Sequence, residues 1–121
     1  MNLWLAVFVG GGLGSVARFA QSRLFQRWDL GLFPWATLVA NLAATALLAW
    51  LVMRWQVNLP GREQWRALLA VGFCGGFSTL STFSYENYVL LRDGLTGMAL
   101  LNIAISVGAG ILLFHLFARS A

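Results

Sequence analysis

The residues best suited to handling an ion lie in one run, Gly72-Phe73-Cys74-Gly75-Gly76-Phe77-Ser78-Thr79-Leu80-Ser81-Thr82-Phe83-Ser84. Three glycines fall within five positions of it, and five hydroxyls within the seven positions 78–84. Hydroxyls and main-chain dipoles are the groups that replace hydration water around an ion. Glycine weakens a helix. Where a helix opens inside an apolar medium, freed carbonyls can bind a cation and freed N–H groups can face an anion. Each residue also has an ordinary use: Ser and Thr bond their own helix backbone, and Gly lets helices pack. The density of the run favours ion handling for the segment as a whole.

Two polar stripes accompany it. Thr37, Asn41 and Thr45 recur at i, i+4, i+8, so they share one helix face. Asn102, Ser106 and Gly110 repeat that spacing. A buried Asn amide needs partners. It either bonds a neighbouring helix or stands as a donor to a passing anion. Phe83 and Phe77 bring ring edges, which carry partial positive charge and can face an anion, although phenylalanine in such a setting usually only packs. Arg18 either snorkels to an interface or draws anions to a vestibule. Glu86, four residues after Thr82, is the only acid inside a predicted span. An intramembrane acid is a functional suspect, but its place near a helix end suits a structural role equally well. His115 is expected at an interface, with nothing to pair it with a metal.

The elements that must position these groups follow from the charge pattern. Of 121 residues, 60% are hydrophobic, and the charges are eight Arg and four acids with no Lys. About a quarter charged would be usual for a soluble domain. The uncharged stretches Asn2–Ala17, Leu30–Met53, Ala67–Tyr85 and Gly94–Ala118 each reach or approach the roughly 20 residues that span a bilayer as a helix. The first extends past Arg18 to about Leu24. The reading is an all-α membrane protein, a single domain over 1–121, with helices at about 3–25, 33–54, 65–91 and 95–118. Pro34 is expected in the first turn of the second helix. Asn58, Pro60 and Gly61 mark one loop and Asp93-Gly94 a turn. Trp28 and Trp35 would flank one membrane face, and Trp4, Trp50, Trp55 and Trp65 the other. The ion-handling run then falls near the midplane, where a broken helix is tolerated only inside protein or beside a polar cavity.

The net charge of +4 does not imply a nucleic-acid partner. The arginines sit at helix ends, where they anchor to lipid headgroups, and form no stripe. The N-terminus lacks a basic n-region and an A-x-A-like site, so no signal peptide is expected. Cys74 is the single cysteine, which excludes an intrachain disulfide and a Cys-based metal site. No paired carboxylates, nucleophile–base set, metal-ligand spacing or nucleotide motif points to an enzyme. Arg54, Arg62, Arg66 and Arg119 lie on one side, against Arg23, Arg27 and Arg92 on the other. So small a bias fits either termini in the cytoplasm or insertion in both orientations as an antiparallel homodimer. Four short helices leave little room for a polar path within one subunit, and the Gly10/Gly14 and Gly72/Gly76 pairs suit close helix approach. Both points favour the dimer.

Three blocks carry a resemblance to the Fluc (CrcB) family of fluoride channels: Gly10-Gly11-Gly12-Leu13-Gly14-Ser15-Val16-Ala17-Arg18-Phe19, then Phe33-Pro34-Trp35-Ala36-Thr37-Leu38-Val39-Ala40-Asn41, then the run from Gly72 to Ser84. They stand in family order and spacing, and the likeness covers the whole chain. The resemblance implies a dual-topology antiparallel homodimer in the bacterial inner membrane, with two pores and a third helix broken near the midplane. It implies passive fluoride export, which limits fluoride toxicity. It implies a central sodium ion, structural and not transported, held by the backbone carbonyls of Gly75 and Ser78. Its pores would be lined by Asn41, Phe83, Ser81, Thr82, Thr79 and Ser106. On the reading of the residues themselves, Thr37 joins that pore set from the Asn41 stripe, and Arg18 and Glu86 take a vestibule or structural place. The chain departs from the family at Leu80, where a phenylalanine is usual, and at Ala36, where a glycine is. Phe83 is therefore the one expected aromatic contact.

The rival reading is a small four-helix proton-coupled multidrug exporter. It shares length and dual topology, but it resembles proteins with a glutamate embedded in the first helix, and none is present here. A non-transporting membrane adaptor would leave the hydroxyl cluster unexplained.

Overall fold

Asn2 opens helix α1 (Leu3–Gln26) in the computed structural model, which describes residues 2–119. Its side-chain oxygen accepts the Trp4 N–H at 2.7 Å, satisfying a donor that a helix start leaves unpaired. Positive φ at Asp29 (45°) and Gly31 (88°) turns the chain toward α2 (Trp35–Met53). Pro34 stands just before α2 rather than in its first turn, and its carbonyl accepts the Leu38 N–H at 3.1 Å.

The third helix, α3, covers residues 63–77. It has an opening turn Glu63–Trp65, a π-helical stretch Arg66–Cys74 and a last α-turn Gly75–Phe77. After two extended residues come α4 (Leu80–Arg92) and then α5 (Thr96–Arg119). Among the described residues, four stretches are long and apolar enough to cross a membrane: Leu3–Gln26, Trp35–Met53, Glu63–Arg92 and Thr96–Arg119. The outermost positions of the expected 1–121 domain, residues 1, 120 and 121, lie outside the described residues.

The outer surface is what lipid requires and water does not tolerate. Trp4, Phe8 and Leu80 are each at least 76% exposed, an apolar surface that would make a soluble protein associate. At one end of the helices Phe25 packs on Trp28 and Phe33 on Trp35, with ring centroids 5.3 and 4.7 Å apart. At the α2–α3 connection, Trp50, Trp55 and Trp65 form a chain of rings about 6 Å apart. Arg62 closes that connection. Its guanidinium donates to the carbonyls of Trp55 and Gln56 and lies 5.7 Å above the Trp55 ring. Beneath it Leu51, Val57 and Cys74 are buried together.

Inside, α1 packs chiefly on α3 and α2 chiefly on α5. The α1–α3 seam is where the small residues act. A Cβ at Gly72 would lie 2.9 Å from Gly10 Cα, one at Gly14 would lie 2.9 Å from the Phe77 nitrogen, and one at Gly76 would lie 3.1 Å from the Ser15 nitrogen. The two small-residue pairs therefore face each other within one chain. This corrects the expectation that they support a subunit contact: in this fold both are occupied inside the subunit. Main chain meets main chain along the seam, and a side chain there has nowhere to go.

Valine at Gly14 or Gly76 should destabilise the protein by about 1–3 kcal/mol through overpacking. Alanine at Gly97, where no atom lies within 4 Å of the added carbon, should be nearly neutral. Thermal unfolding in detergent measures both, and equal effects at the two kinds of position would contradict the seam.

Candidate functional site

The site begins with two residues that leave the helical path. Ser78 (φ −82°, ψ 159°) and Thr79 (φ −154°, ψ 120°) are extended, and α4 restarts at Leu80. Thr79 caps the restart, its hydroxyl accepting the Thr82 N–H at 3.2 Å. Its own main chain is held from α2. Asn41 Oδ1 accepts the Thr79 N–H at 2.8 Å, and Asn41 Nδ2 donates to the Thr79 carbonyl at 3.3 Å. One amide side chain thus satisfies both polar groups of a peptide residue that helix geometry has abandoned. An unpaired peptide group among apolar helices would cost several kcal/mol.

This bracing redirects donors. In a continuous α-helix the Thr79 N–H would serve the Gly75 carbonyl, and the Thr82 N–H the Ser78 carbonyl. Here the first goes to Asn41 and the second to the Thr79 hydroxyl. The carbonyls of Gly75 and Ser78 thus lose their helical donors, as do those of Gly76 and Phe77, whose donors would be Leu80 and Ser81 at the head of α4. Gly75 and Ser78 line a small cavity of about 160 Å³ with Thr45 and Cys74.

Several hydroxyls are already committed. Thr45 donates to the Asn41 carbonyl at 2.7 Å, and Ser78 Oγ to the Cys74 carbonyl at 2.8 Å. Both are ordinary i−4 back-bonds. Thr79 Oγ1 and Ser81 Oγ are 3.2 Å apart, with Ser81 exposed. Phe77 stacks on Phe73, with centroids 5.8 Å apart and planes 8° from parallel. Phe83 is half-buried on α4.

Four of the expected residues meet in a larger cavity of about 380 Å³: Arg18, Thr37, Thr82 and Glu86, joined by Gln21 and Trp35. Thr37 is buried and lines this cavity together with Glu86. Arg18 Nε, Gln21 Oε1 and Glu86 Oε1 are all buried and find no partner among the described residues. Donors and acceptors without partners around an open volume suit water or a hydrated ion. Ser106 and Phe83 line neither cavity. Ser106 instead bonds Asn102, and Asn102 bonds Asn87.

Sequence reasoning missed Gln21 and Asn87. Gln21 Nε2 donates to the Ala36 carbonyl at 3.0 Å, tying α1 to the start of α2 and leaving Oε1 unpaired. Asn87 is a buried amide within a membrane-length span, directly after Glu86. That alone was a usable signal, but neither residue belongs to an i, i+4 polar stripe.

Asn41→Leu should raise hydrogen exchange at the Thr79 amide by about tenfold or more, as expected when a bond of roughly 1–1.5 kcal/mol is lost. Unchanged exchange, read by mass spectrometry of the 75–85 region, would mean that the amide brace carries no load.

Residues 5–117 match the family model described as CrcB-like protein, Camphor Resistance (CrcB). A protein of Enterobacter sp. (strain 638), named fluoride-specific ion channel FluC, is 41% identical over 111 residues, covering 88% of this chain and 84% of that protein. Proteins of the same name from Salmonella arizonae and Salmonella newport are each 40% identical over 129 aligned positions, covering 100% of this chain and 98% of theirs. With a family match over nearly its whole length and relatives this similar end to end, the chain belongs to the CrcB family.

Proposed function

We propose that this chain is a fluoride-selective channel of the bacterial inner membrane, working as an antiparallel homodimer that lets fluoride leave the cytoplasm down its gradient. The observation that carries the reading is the Asn41-braced Ser78–Thr79 step, an ordered opening in a membrane-length helix beside a run of hydroxyls. Relatives 40% identical over the full chain bear the name fluoride-specific ion channel.

Fluoride is small and strongly hydrated, so a selective path must replace its water with donors while holding it weakly enough for release. The cavity of Arg18, Thr37, Thr82 and Glu86 suits the hydrated end of that path. Arg18 raises the local anion concentration, and Glu86 offsets a charge that would otherwise hold the ion too long. Beyond it, Thr82, Ser81 and Thr79 offer hydroxyls along α4, Phe83 a ring edge, and Ser106 a hydroxyl from α5. Asn41 contributes through the second hydrogen of Nδ2, the first being given to Thr79. Leu80 supplies bulk without a ring edge, which leaves Phe83 as the aromatic contact.

The carbonyls of Gly75 and Ser78 fit a structural sodium ion, because their helical donors are diverted and an oxygen donor set suits a hard cation. Sodium held there supplies a fixed positive charge beside the path, favouring an anion in a low-dielectric setting. This chain's contribution is to hold those two carbonyls open. In a dimer about a central axis, each subunit would offer the same pair.

The deciding experiment is ion efflux from proteoliposomes. Fluoride should leave, chloride should not, and a proton gradient should make no difference. Dependence on the gradient would favour the exporter reading. Phe83→Ile should slow fluoride efflux by at least about tenfold, a barrier increase of roughly 1.4 kcal/mol, with the dimer intact by cross-linking. Wild-type efflux in that variant would remove Phe83 from the path. Protein assembled after exhaustive sodium removal should be inactive and regain flux when sodium is returned, and full activity without sodium would count against the Gly75–Ser78 site.

A further inference from the structure

Hydroxyls in apolar helices normally bond the backbone carbonyl four residues earlier, and Thr45 and Ser78 do so at 2.7 and 2.8 Å. Ser106 does not. Its residue i−4 is Asn102, and the hydroxyl points to that residue's side-chain oxygen, Oδ1, at 3.4 Å. That is longer than the usual O–H···O range, so Ser106 is the loosely held hydroxyl of the three. Asn102 is itself fully buried, and its Nδ2 donates to Asn87 Oδ1 at 2.9 Å across the α4–α5 contact. Asn87 is also buried. The chain of bonds has one direction: Asn87 fixes which way the Asn102 amide faces, and the Asn102 carbonyl then draws the Ser106 proton off its default helical partner.

We propose that Asn102, oriented by Asn87, is a positioning residue for ion passage, holding the Ser106 hydroxyl in a releasable state from which it can turn its proton to a passing anion. The inference rests on the reading of Ser106 as part of the path. With Asn102 replaced by an apolar residue, Ser106 falls back to the i−4 carbonyl, where Thr45 and Ser78 show a short bond, and is withdrawn. No proton leaves the serine in this step; the O–H only changes acceptor.

A merely structural role for Asn102, bridging α4 to α5, makes a different prediction. Both roles would slow transport when Asn102 is lost, but only positioning makes that loss depend on Ser106. The test is a double-mutant cycle read as fluoride efflux from proteoliposomes, using Asn102→Leu, Ser106→Ala and the pair together. Each single variant is expected to slow efflux by about tenfold, the worth of one hydrogen bond to an ion, and the double variant no more than Ser106→Ala alone. Independent effects that multiply to about a hundredfold would overturn the proposal, as would wild-type flux in Ser106→Ala or in Asn102→Leu. Should Asn102→Leu fail to fold, Asn87→Leu serves instead, since it disturbs only the orientation of Asn102. It is expected to slow efflux in the parent and to add nothing in the Ser106→Ala background, and a further slowing there would overturn the proposal. A parent protein that carries no fluoride would fail the channel reading itself, a result distinct from all of these.

Discussion

One amide makes the rest possible. A membrane-length helix cannot drop two residues out of its hydrogen-bond ladder unless something else meets their polar groups, and Asn41 meets both groups of Thr79 from a neighbouring helix. The bond pattern is that of a strand partner supplied by a side chain. It lets Ser78 and Thr79 run extended, lets the Thr79 hydroxyl cap α4, and leaves the carbonyls of residues 75–78, those of Gly75 and Ser78 among them, without their helical donors. An apolar residue at position 41 would leave the step with unpaired groups, and the nearest repair is a continuous helix with no opening in it.

Holding such a step requires a rigid frame, which the α1–α3 seam supplies. Glycines on both helices bring main chain against main chain, so the turn leading into Ser78 is fixed from one side by α1 while Asn41 fixes the residue after it from α2. Gly72 and Gly76 are thus part of the frame rather than the cause of the extended step, while Gly75 borders the small cavity. Gly75 and Gly76 remain helical, and the residues that leave the helix are Ser78 and Thr79.

This marks the boundary of what the sequence makes legible. Spans, end belts and the hydroxyl-rich run stand out because charge and polarity are conspicuous against an apolar background. The bonding of each polar group does not. Thr45 shares a face with Asn41, yet its hydroxyl is tied to the helix backbone, while the Asn41 amide reaches another helix. Phe77 and Phe83 are six residues apart in one run, yet Phe77 is stacked on Phe73. Asn87 and Gln21 have partners on different helices, at separations of fifteen residues, where single-helix periodicity carries no information. The small-residue pairs mark close approach, but spacing alone cannot say whether the approaching helix belongs to the same chain.

The π-helical stretch Arg66–Cys74 lies directly upstream of all this. Its wider winding sets the azimuth at which Gly76 reaches α1 and Ser78 reaches the small cavity, because each residue there turns less about the axis than in an α-helix. Chain length between Trp65 and Gly75 is therefore bound to pitch. An inserted or lost residue would rotate the glycine edge off its groove rather than simply lengthen or shorten a rod. Natural drift in length among descendants of this sequence should collect at residues 27–34 and 54–62, where the chain reverses direction, and spare the stretch that sets the phase.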